Sequence, residues 1–228
     1  MGSASLTHPC YTCLIYIRIR GMEDMANFNR SQSGVLCIEA PWSAGNDEND
    51  ETKPKSVLPG LELINTYYGY QKLLYRTCAT RRELAYHFED FKRLRPTSKN
   101  WYGMLYFASH GSKGSMHLPG EKQELDLEIL AEMMGKIFSG FVVYFGSCSV
   151  MKCSDAELQR FSDLTGADMV VGYEADVDWI DSTILDILFL NAFSSEKRPK
   201  SKIVFWNGFR KRYGELIDKY KMVCFDDK

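Results

Sequence analysis

A histidine and a cysteine each follow a run of apolar residues in this sequence. The run 102–109 leads into His110 and Gly111, and the run 141–147 leads into Cys148. Short apolar runs of this kind are typical of buried strands. Neighbouring parallel strands end at one edge of a sheet, where open α/β folds keep their active sites, so this pair would bring an imidazole beside a thiol. The pattern predicts a cysteine nucleophile with a histidine base, which is the chemistry of a cysteine peptidase.

The residue types decide the role that we expect for each side chain. Cys148 enters a polar loop flanked by serines, where a thiol stays accessible and able to react as the thiolate. His110 would take the thiol proton and later protonate the leaving amine, because imidazole titrates near neutral pH. Either residue alone is more often a turn or core residue than a catalytic one. Their occurrence at successive strand ends favours a catalytic dyad.

Strands and helices alternate around these two positions. Apolar runs predict five strands, at residues 35–38, 73–75, 102–109, 141–147 and 169–173. A helix is predicted after each of the last four strands, with capping boxes at residues 80–83 and 154–157. We expect Asp181 to cap the helix that follows the last strand, and a long terminal helix to cover residues 203–220.

The spacing of the two motifs determines how their strands run. The 38 residues from His110 to Cys148 leave room for a loop, a crossover helix and a strand, and we expect that helix to have about four turns. Such a connection is a right-handed βαβ unit, which makes the two strands parallel. The predicted fold class is therefore α/β, a doubly wound, mostly parallel sheet with helices on both faces.

The same motifs resemble a known family. An apolar strand ending in His110 and Gly111, followed by an apolar strand, a small residue and Cys148, resembles the caspase-like (clan CD) cysteine peptidases. The segment 169–182, a strand with an acidic turn that leads into an apolar helix, is most similar to the CHAT domain family. The string Phe-Gly-Ser-Cys-Ser-Val-Met around Cys148 departs from the Gln-Ala-Cys-Arg-Gly of caspases and the Asp-x-Cys-x-Ser-Gly of metacaspases.

The resemblance implies a caspase-like doubly wound fold and a reaction that needs no metal or organic cofactor. It implies an oxyanion hole formed by the backbone N–H groups of Gly111 and Cys148. It also implies a protein substrate and a separate activating or sensor protein, since the sequence lacks the repeats, with a period of about 34 residues, that would form a helical-repeat sensor.

Acidic residues follow the predicted strand 169–173, at the edge where this family builds its S1 pocket. We expect Glu174, Asp176 and Asp178 to bind substrate there, because a carboxylate pairs with a P1 arginine or lysine. The alternative is a solvated turn with a helix cap.

Composition limits the remaining classes. A net charge of −2 without a dominant basic stripe argues against nucleic acid as a ligand. No apolar run approaches the roughly 20 residues needed to cross a bilayer, so no membrane partner is expected. Seven cysteines, an odd number, fit a reducing compartment, and the predicted location is cytoplasmic. Cys10 and Cys13 have the spacing of half a zinc site, but no second pair follows.

The chain is divided near residue 34. Residues 1–33 show no hydrophobic periodicity and include Met22 and Met25 as alternative starts, so they are predicted to be a flexible N-terminal arm or tag. Residues 34–228 are predicted to form the peptidase domain.

Two rival functions share the predicted fold. One is a catalytically inactive caspase-like interaction module, which would have no reason to keep a hyper-reactive cysteine. The other is a flavodoxin-like or TIR-like nucleotide-binding domain, which requires a glycine-rich phosphate loop after the first strand. Residues 39–43, Glu-Ala-Pro-Trp-Ser, offer no such loop.

Overall fold

The computed structural model describes residues 34–40, 56–68, 73–93, 102–195 and 201–226. Their strands are β1 (Gly34–Glu39), β2 (Leu73–Thr77), β3 (Tyr102–Ala108), β4 (Gly111–Ser112), β5 (Ser115–Met116), β6 (Leu125–Asp126), β7 (Val142–Phe145), β8 (Met169–Tyr173) and β9 (Met222–Phe225). Their helices are α1 (Leu58–Tyr68), α2 (Arg81–Arg93), α3 (Leu127–Met134), α4 (Asp155–Thr165), α5 (Trp179–Ser195) and α6 (Lys202–Tyr220). A 3-10 helix (Gly135–Phe138) continues α3.

Six strands form the central sheet, in the order β2-β1-β3-β7-β8-β9. Neighbouring strands from β2 to β8 are parallel, and β9 is antiparallel to β8. One hydrophobic core, which includes side chains of α2, α3 and α4, covers one face of the sheet. A second core, with side chains of α1, α5 and α6, covers the other face. The predicted doubly wound α/β fold with helices on both faces is confirmed.

The central strands β3 and β7 are buried on both faces, which explains why their sequences are continuous apolar runs. Their register pairs Tyr106 with Tyr144 and Phe107 with Phe145. Because successive side chains of a strand point to opposite faces, the two tyrosines lie on one face and the two phenylalanines on the other. The tyrosines belong to the core with α5, and the phenylalanines to the core with α2 and α4.

Both predicted capping boxes are present. At the start of α2, the backbone N–H of Glu83 donates to Thr80 Oγ1 at 3.2 Å, and the carboxylate of Glu83 accepts from the Thr80 backbone at 3.1 Å. Ser154 and Glu157 make the same reciprocal pair at the start of α4. These two pairs satisfy N–H groups that the first turn of a helix leaves without a partner.

The prediction that Asp181 caps the helix after β8 is wrong. Asp178 is the cap, because its Oδ1 accepts the backbone N–H groups of Ile180 at 2.9 Å and Asp181 at 3.1 Å. Asp181 lies inside the first turn of α5, where its carboxylate accepts the hydroxyl of Tyr220 at 2.5 Å. An aspartate before the first turn is a strong cap, and two aspartates three residues apart could not be ranked from the sequence.

The structure contains several elements that the sequence did not predict. The helix α1 begins with Pro59 and Gly60 in its first turn, where the missing N–H of proline is tolerated. The expected four-turn crossover helix is instead the short α3 followed by the 3-10 helix, since Gly135 has a φ of +48° that ends the α-helix. The small antiparallel sheet β4-β5-β6 and the edge strand β9 were also missed.

Candidate active site

His110 and Cys148 follow two adjacent parallel strands. His110 lies two residues beyond the end of β3, and Cys148 lies three residues beyond the end of β7. The two segments are in contact, because a Cβ built on Gly111 would lie 2.5 Å from the carbonyl oxygen of Cys148 and 2.6 Å from a methyl group of Val150. The structure therefore brings the histidine and cysteine segments to the same carboxyl edge of the sheet, and position 111 has room for glycine alone.

The small sheet holds the backbone of the histidine segment. The carbonyl of His110 accepts the backbone N–H of His117 at 2.8 Å, and β4 pairs with β5 directly after it. Glu124 accepts hydrogen bonds from the hydroxyls of Ser112 and Ser115, each at 2.5 Å. These two bonds hold the pKa of the Glu124 carboxyl below its usual range. The backbone at position 110 is fixed from both sides, while the imidazole is exposed at the surface.

The cysteine loop, residues 146–151, is fixed at several points of its backbone. The N–H of Gly146 donates to the carbonyl of Phe107 at 2.8 Å, which extends the contact between β3 and β7. Beyond Cys148, the N–H of Ser149 donates to Ala175 at 3.1 Å and that of Met151 donates to Tyr173 at 3.0 Å. The hydroxyls of Ser109 and Ser147 also share a buried hydrogen bond of 3.0 Å.

The sulfur of Cys148 contacts the backbone N–H and carbonyl of one residue in the neighbouring loop, Val177. The backbone N–H of Val177 donates to Sγ at 3.5 Å, and the thiol can donate to the Val177 carbonyl at 3.6 Å. Val177 precedes the first residue of α5 by two positions. A backbone N–H directed at a sulfur stabilises its thiolate form, because hydrogen bonding to a charged form favours that form.

The other described cysteines have a different environment. All five described cysteines are free thiols. Burial raises the pKa of four of them, to about 11 in Cys153, to about 12 in Cys78 and Cys224, and well above its usual value in Cys37. Thiols with such pKa values are poor nucleophiles at neutral pH. Cys10 and Cys13 lie outside the described residues.

The three acidic residues after β8 have separate surroundings. Asp176 accepts the hydroxyl of Ser149 at 2.7 Å, next to Cys148. Asp178 caps α5, which is the alternative that the sequence left open. Glu174 is exposed, and its backbone N–H donates to Lys221 at 3.0 Å. The three carboxylates follow the strand next to β7, and Asp176 is the one in direct contact with the cysteine loop.

Sequence reasoning missed a buried acid beneath the cysteine loop. Asp186 of α5 accepts hydrogen bonds from Tyr106 at 2.7 Å, from Tyr173 at 2.5 Å and from Tyr144. Burial raises the pKa of Asp186 to about 6, although the three phenol bonds act in the opposite direction. Burial also raises the pKa of each of the three phenols well above its ordinary value.

The sequence does carry a signal for this cluster. Tyr106 lies four residues before His110, and Tyr144 lies four residues before Cys148. Asp186 interrupts an otherwise apolar stretch of helix, Ile-Leu-Asp-Ile-Leu-Phe-Leu. A lone acid on a buried helix needs donors around it, and phenols at matching positions of adjacent strands supply them.

A second buried acid lies at the end of β1. Glu39 accepts the backbone N–H of Val57 at 2.9 Å, the hydroxyl of Ser56 at 2.7 Å and the hydroxyl of Tyr75. Its side chain therefore occupies the space in front of the first N–H groups of α1. This carboxylate lies at the strand where the sheet order reverses direction, between β2 and β3.

Two further findings concern the described part of the chain. Its side chains include no group of three or more histidine, cysteine, aspartate or glutamate residues that could hold a metal ion. None of its helices is both long enough and apolar enough to cross a membrane.

The chain is thus a doubly wound α/β protein with a histidine and a cysteine segment in contact at one sheet edge. The model of DUF6642, a family of unknown function, matches residues 32–215. The match spans most of the sequence, so the chain belongs to this family. A search of the curated proteins gives no match to the chain.

Proposed function

We propose that this chain is a cysteine endopeptidase of the caspase-like, CHAT type. The observation that carries the proposal is the contact between Gly111 and the carbonyl of Cys148, which unites the ends of β3 and β7. An exposed histidine and a half-buried thiol at one edge of the sheet supply the base and the nucleophile that the proposed catalysis uses. Family membership adds no support, since the function of the family is unknown.

In the proposed reaction, the imidazole of His110 takes the proton of the Cys148 thiol. The sulfur attacks the carbonyl carbon of the peptide bond, and the negative charge moves to the carbonyl oxygen, which accepts the backbone N–H groups of Gly111 and Cys148. The carbon–nitrogen bond breaks, and His110 returns the proton to the leaving amine. Water then hydrolyses the thioester, with His110 again acting as the base, and the free thiol is restored.

A basic P1 residue is the proposed specificity. Asp178 is engaged in capping α5, whereas Asp176 lies against the cysteine loop and Glu174 is exposed at the end of β8. Asp176 is therefore the first candidate to pair with a P1 arginine. The carboxylate to be tested is Asp176, by Asp176→Asn, with cleavage after arginine, lysine, aspartate and leucine compared in one peptide series. An arginine preference that survives this change, and the matching Glu174→Gln change, would overturn the assignment.

A separate activating protein and a cytoplasmic location are part of the proposal. The five described cysteines are all free, which supports a reducing compartment. The hydrogen bonds between Cys148 Sγ and Val177 mean that the thiol is engaged with the loop before α5 in this structure. An activating partner that binds this loop would act on the sulfur through the backbone of Val177.

The place where a nucleotide phosphate would bind, at the end of β1, argues against the nucleotide-binding alternative. Doubly wound folds bind phosphates at the strand where the order reverses, on the N-terminus of the following helix. Here the carboxylate of Glu39 already accepts the N–H of Val57 at that helix end. A buried carboxylate at this place would repel a phosphate.

A thiol-directed peptide probe tests the proposal against the inactive interaction module. The full chain is treated with a peptidyl acyloxymethyl ketone carrying a P1 arginine, and labelled cysteines are identified by mass spectrometry. We expect labelling at Cys148, its loss in His110→Ala, and loss of peptide cleavage in Cys148→Ala without a change in melting temperature. Cys153→Ser is the matched control, because this half-buried thiol follows Cys148 by five residues and should be dispensable.

The opposite result would be equally clear. Full cleavage by Cys148→Ala would exclude Cys148 as the nucleophile. Equal, slow labelling of Cys148 and Cys153 in the wild-type chain, with no cleavage after addition of a cell extract as a source of activator, would favour the interaction module.

A further inference from the structure

We propose that Asp186, with Tyr106, Tyr144 and Tyr173, positions the Cys148 thiol and sets its reactivity, an inference that rests on the proposed function. Asp186 is a positioning residue, because it acts through the backbone around the cysteine and not by contact with a substrate. Two contacts connect the cluster to the start and the end of the cysteine loop, and α5 connects it indirectly to the sulfur.

The first contact is with Gly146, where the chain leaves β7. A Cβ built on Gly146 would lie 2.6 Å from Asp186 Oδ2 and 2.7 Å from the Tyr106 hydroxyl. The hydrogen bond between these two side chains therefore lies directly against the backbone, two residues before Cys148. A shift of the carboxylate would move the start of the loop.

The second contact is with the end of the loop. Tyr173 donates its hydroxyl to Asp186 Oδ1 at 2.5 Å, and its backbone carbonyl accepts the N–H of Met151 at 3.0 Å. The same hydroxyl lies 3.2 Å from the carbonyl of Ser182 on α5. One residue thus connects the acid, the helix and the residue where the cysteine loop ends.

The connection to the sulfur is indirect and runs through α5. Asp186 is held by one phenol from each of β3, β7 and β8, so it fixes α5 against three strands at once. The N-terminal end of α5 leads back to Val177, whose N–H donates to Cys148 Sγ. A helix that is less firmly held against the sheet would hold this N–H less firmly against the sulfur.

The ionised form of the acid is the better acceptor for three phenols. A carboxylate is an acceptor at every lone pair, whereas a carboxyl group or an amide replaces part of that capacity with a donor. The titratable groups that face Asp186 are the three tyrosines, on β3, β7 and β8, and Cys37 on β1, whose thiol it influences by charge. Asp186→Asn keeps the volume of the side chain and removes the charge and half of the acceptors.

The direction in which Asp186→Asn changes the reactivity of Cys148 distinguishes a positioning role of Asp186 from a purely electrostatic effect of its charge. Removal of a negative charge near a thiol favours the thiolate, so it lowers the thiol pKa and raises its reactivity. Loss of the Val177 hydrogen bond acts in the opposite direction, because the thiolate loses a donor. Positioning therefore predicts slower reaction of Cys148 in Asp186→Asn, and charge alone predicts faster reaction.

The experiment measures alkylation of Cys148 by iodoacetamide over a range of pH, with the full chain and peptide mass spectrometry. In Asp186→Asn we expect the midpoint of the rate profile to rise and the rate at neutral pH to fall about tenfold. We expect the melting temperature to stay the same or rise, since a buried charge has been removed. Tyr173→Phe should shift the midpoint in the same direction by a smaller amount, and it carries the test if Asp186→Asn does not fold.

Glu39→Gln is the matched control. Glu39 is also a buried acid at the carboxyl edge of the sheet with a tyrosine donor, Tyr75, but the donors named above lie just before α1 and on β2, away from the cysteine loop. It should leave the rate profile of Cys148 unchanged. An equal shift in Glu39→Gln would show a general loss of structure and would overturn the inference.

The inference and the proposed function can fail separately. An unchanged or lowered midpoint in Asp186→Asn, in a chain that cleaves peptides at the wild-type kcat, would remove the positioning role and leave the peptidase intact. A raised midpoint in a chain that never cleaves a peptide would support the positioning of the thiol and remove the peptidase.

Discussion

The two faces of the sheet carry nearly identical aromatic pairs with different surroundings. Phe107 and Phe145 stack with ring centroids 5.4 Å apart, and Tyr106 and Tyr144, one residue earlier in each strand, stack at 5.3 Å. The phenylalanine pair continues into further aromatic packing, with Phe161 5.8 Å from Phe145. The tyrosine pair ends in two hydroxyls that donate to a buried carboxylate.

This difference separates stability from function within one sheet. The phenylalanine face has only burial and packing to contribute, which is the main source of folding free energy. The tyrosine face includes an ionisable acid, Asp186, whose burial is unfavourable and which lies beneath the cysteine loop. Changes on the phenylalanine face should therefore affect folding alone, whereas changes on the tyrosine face should also affect the reactivity of Cys148.

The largest effect is expected from Phe145→Ala on the phenylalanine face. Phe145 is fully buried, and its loss would leave a cavity between Phe107 and Phe161. We expect the free energy of unfolding to fall by about 3–5 kcal/mol, measured by urea denaturation. Tyr86→Ala, at an aromatic residue that is 67% exposed on α2, is the control, and it should change stability by no more than about 0.5 kcal/mol. A small loss in Phe145→Ala would mean that the two faces do not divide these roles.

The next effect is the pH dependence of stability in Asp186→Asn. The pKa of Asp186 rises from 3.8 in the unfolded chain to about 6 in the fold. Over this window the folded wild type retains a proton that the unfolded chain has lost, so its stability falls as pH rises, by about 3 kcal/mol. The variant lacks this contribution. The stability of Asp186→Asn relative to wild type should therefore increase by that amount between about pH 4 and about pH 7.5.

A variant with the opposite sign is the control for this measurement. The pKa of Glu83 is lowered by its hydrogen bonds to the backbone of Ala79 and to Thr80. Its contribution to stability is present above the pKa of the unfolded chain and is lost as pH falls, so Glu83→Gln should lose stability relative to wild type as pH rises. If Asp186→Asn followed the same direction as Glu83→Gln, the buried-acid interpretation would be wrong.

The sequence predicted the parts of this comparison that depend on local pattern. Apolar runs located β3 and β7, and a 38-residue spacing with room for one crossover made them parallel. Those two facts place His110 and Cys148 at one edge, whatever chemistry they perform. The capping boxes were equally local, since four consecutive residues contain all of their donors and acceptors.

The parts that were missed depend on contacts between distant segments. The role of Asp186 depends on hydrogen bonds from tyrosines on three strands, which lie 80, 42 and 13 residues away along the chain. The strand β9 is too short to have a periodicity of its own, and it forms because β8 offers an unpaired edge. The assignment of Asp178 and not Asp181 as a cap depends on where the first turn of α5 begins, which is the least certain property of any sequence pattern.

Gly146→Ala is the third prediction, and it tests the contact between the tyrosine face and the loop. The added methyl group would lie 2.6 Å from both Asp186 Oδ2 and a ring carbon of Tyr106, so one of them must move. We expect a loss of about 1–3 kcal/mol in the free energy of unfolding, together with slower alkylation of Cys148.

Gly208→Ala is the matched control for this substitution. A Cβ at Gly208, inside α6, meets no atom within 4 Å outside its own helix. This change should stabilise the protein by about 0.5–1 kcal/mol, because alanine favours the helix. A neutral effect of Gly146→Ala on both stability and alkylation would show that the cluster does not fix the start of the loop.

The smallest effect is expected from Tyr106→Phe, which removes one hydroxyl group from the tyrosine face and leaves a phenylalanine ring in its place. The ring and its stacking on Tyr144 are kept, and only the hydroxyl bonded to Asp186 Oδ2 at 2.7 Å is removed. Asp186 still accepts two phenols, so the loss in unfolding free energy should be about 1 kcal/mol.

The control is Tyr220→Phe. The hydroxyl of Tyr220 bonds to Asp181 near the surface, where water replaces the lost partner, so the loss in unfolding free energy should be smaller. Because the Tyr106 hydroxyl lies against Gly146, we also expect slower alkylation of Cys148 in Tyr106→Phe. The rate of alkylation in Tyr220→Phe should equal that of the wild type. Equal stability losses with unchanged alkylation in both variants would mean that the buried phenols contribute as ordinary hydrogen bonds and do not position the thiol.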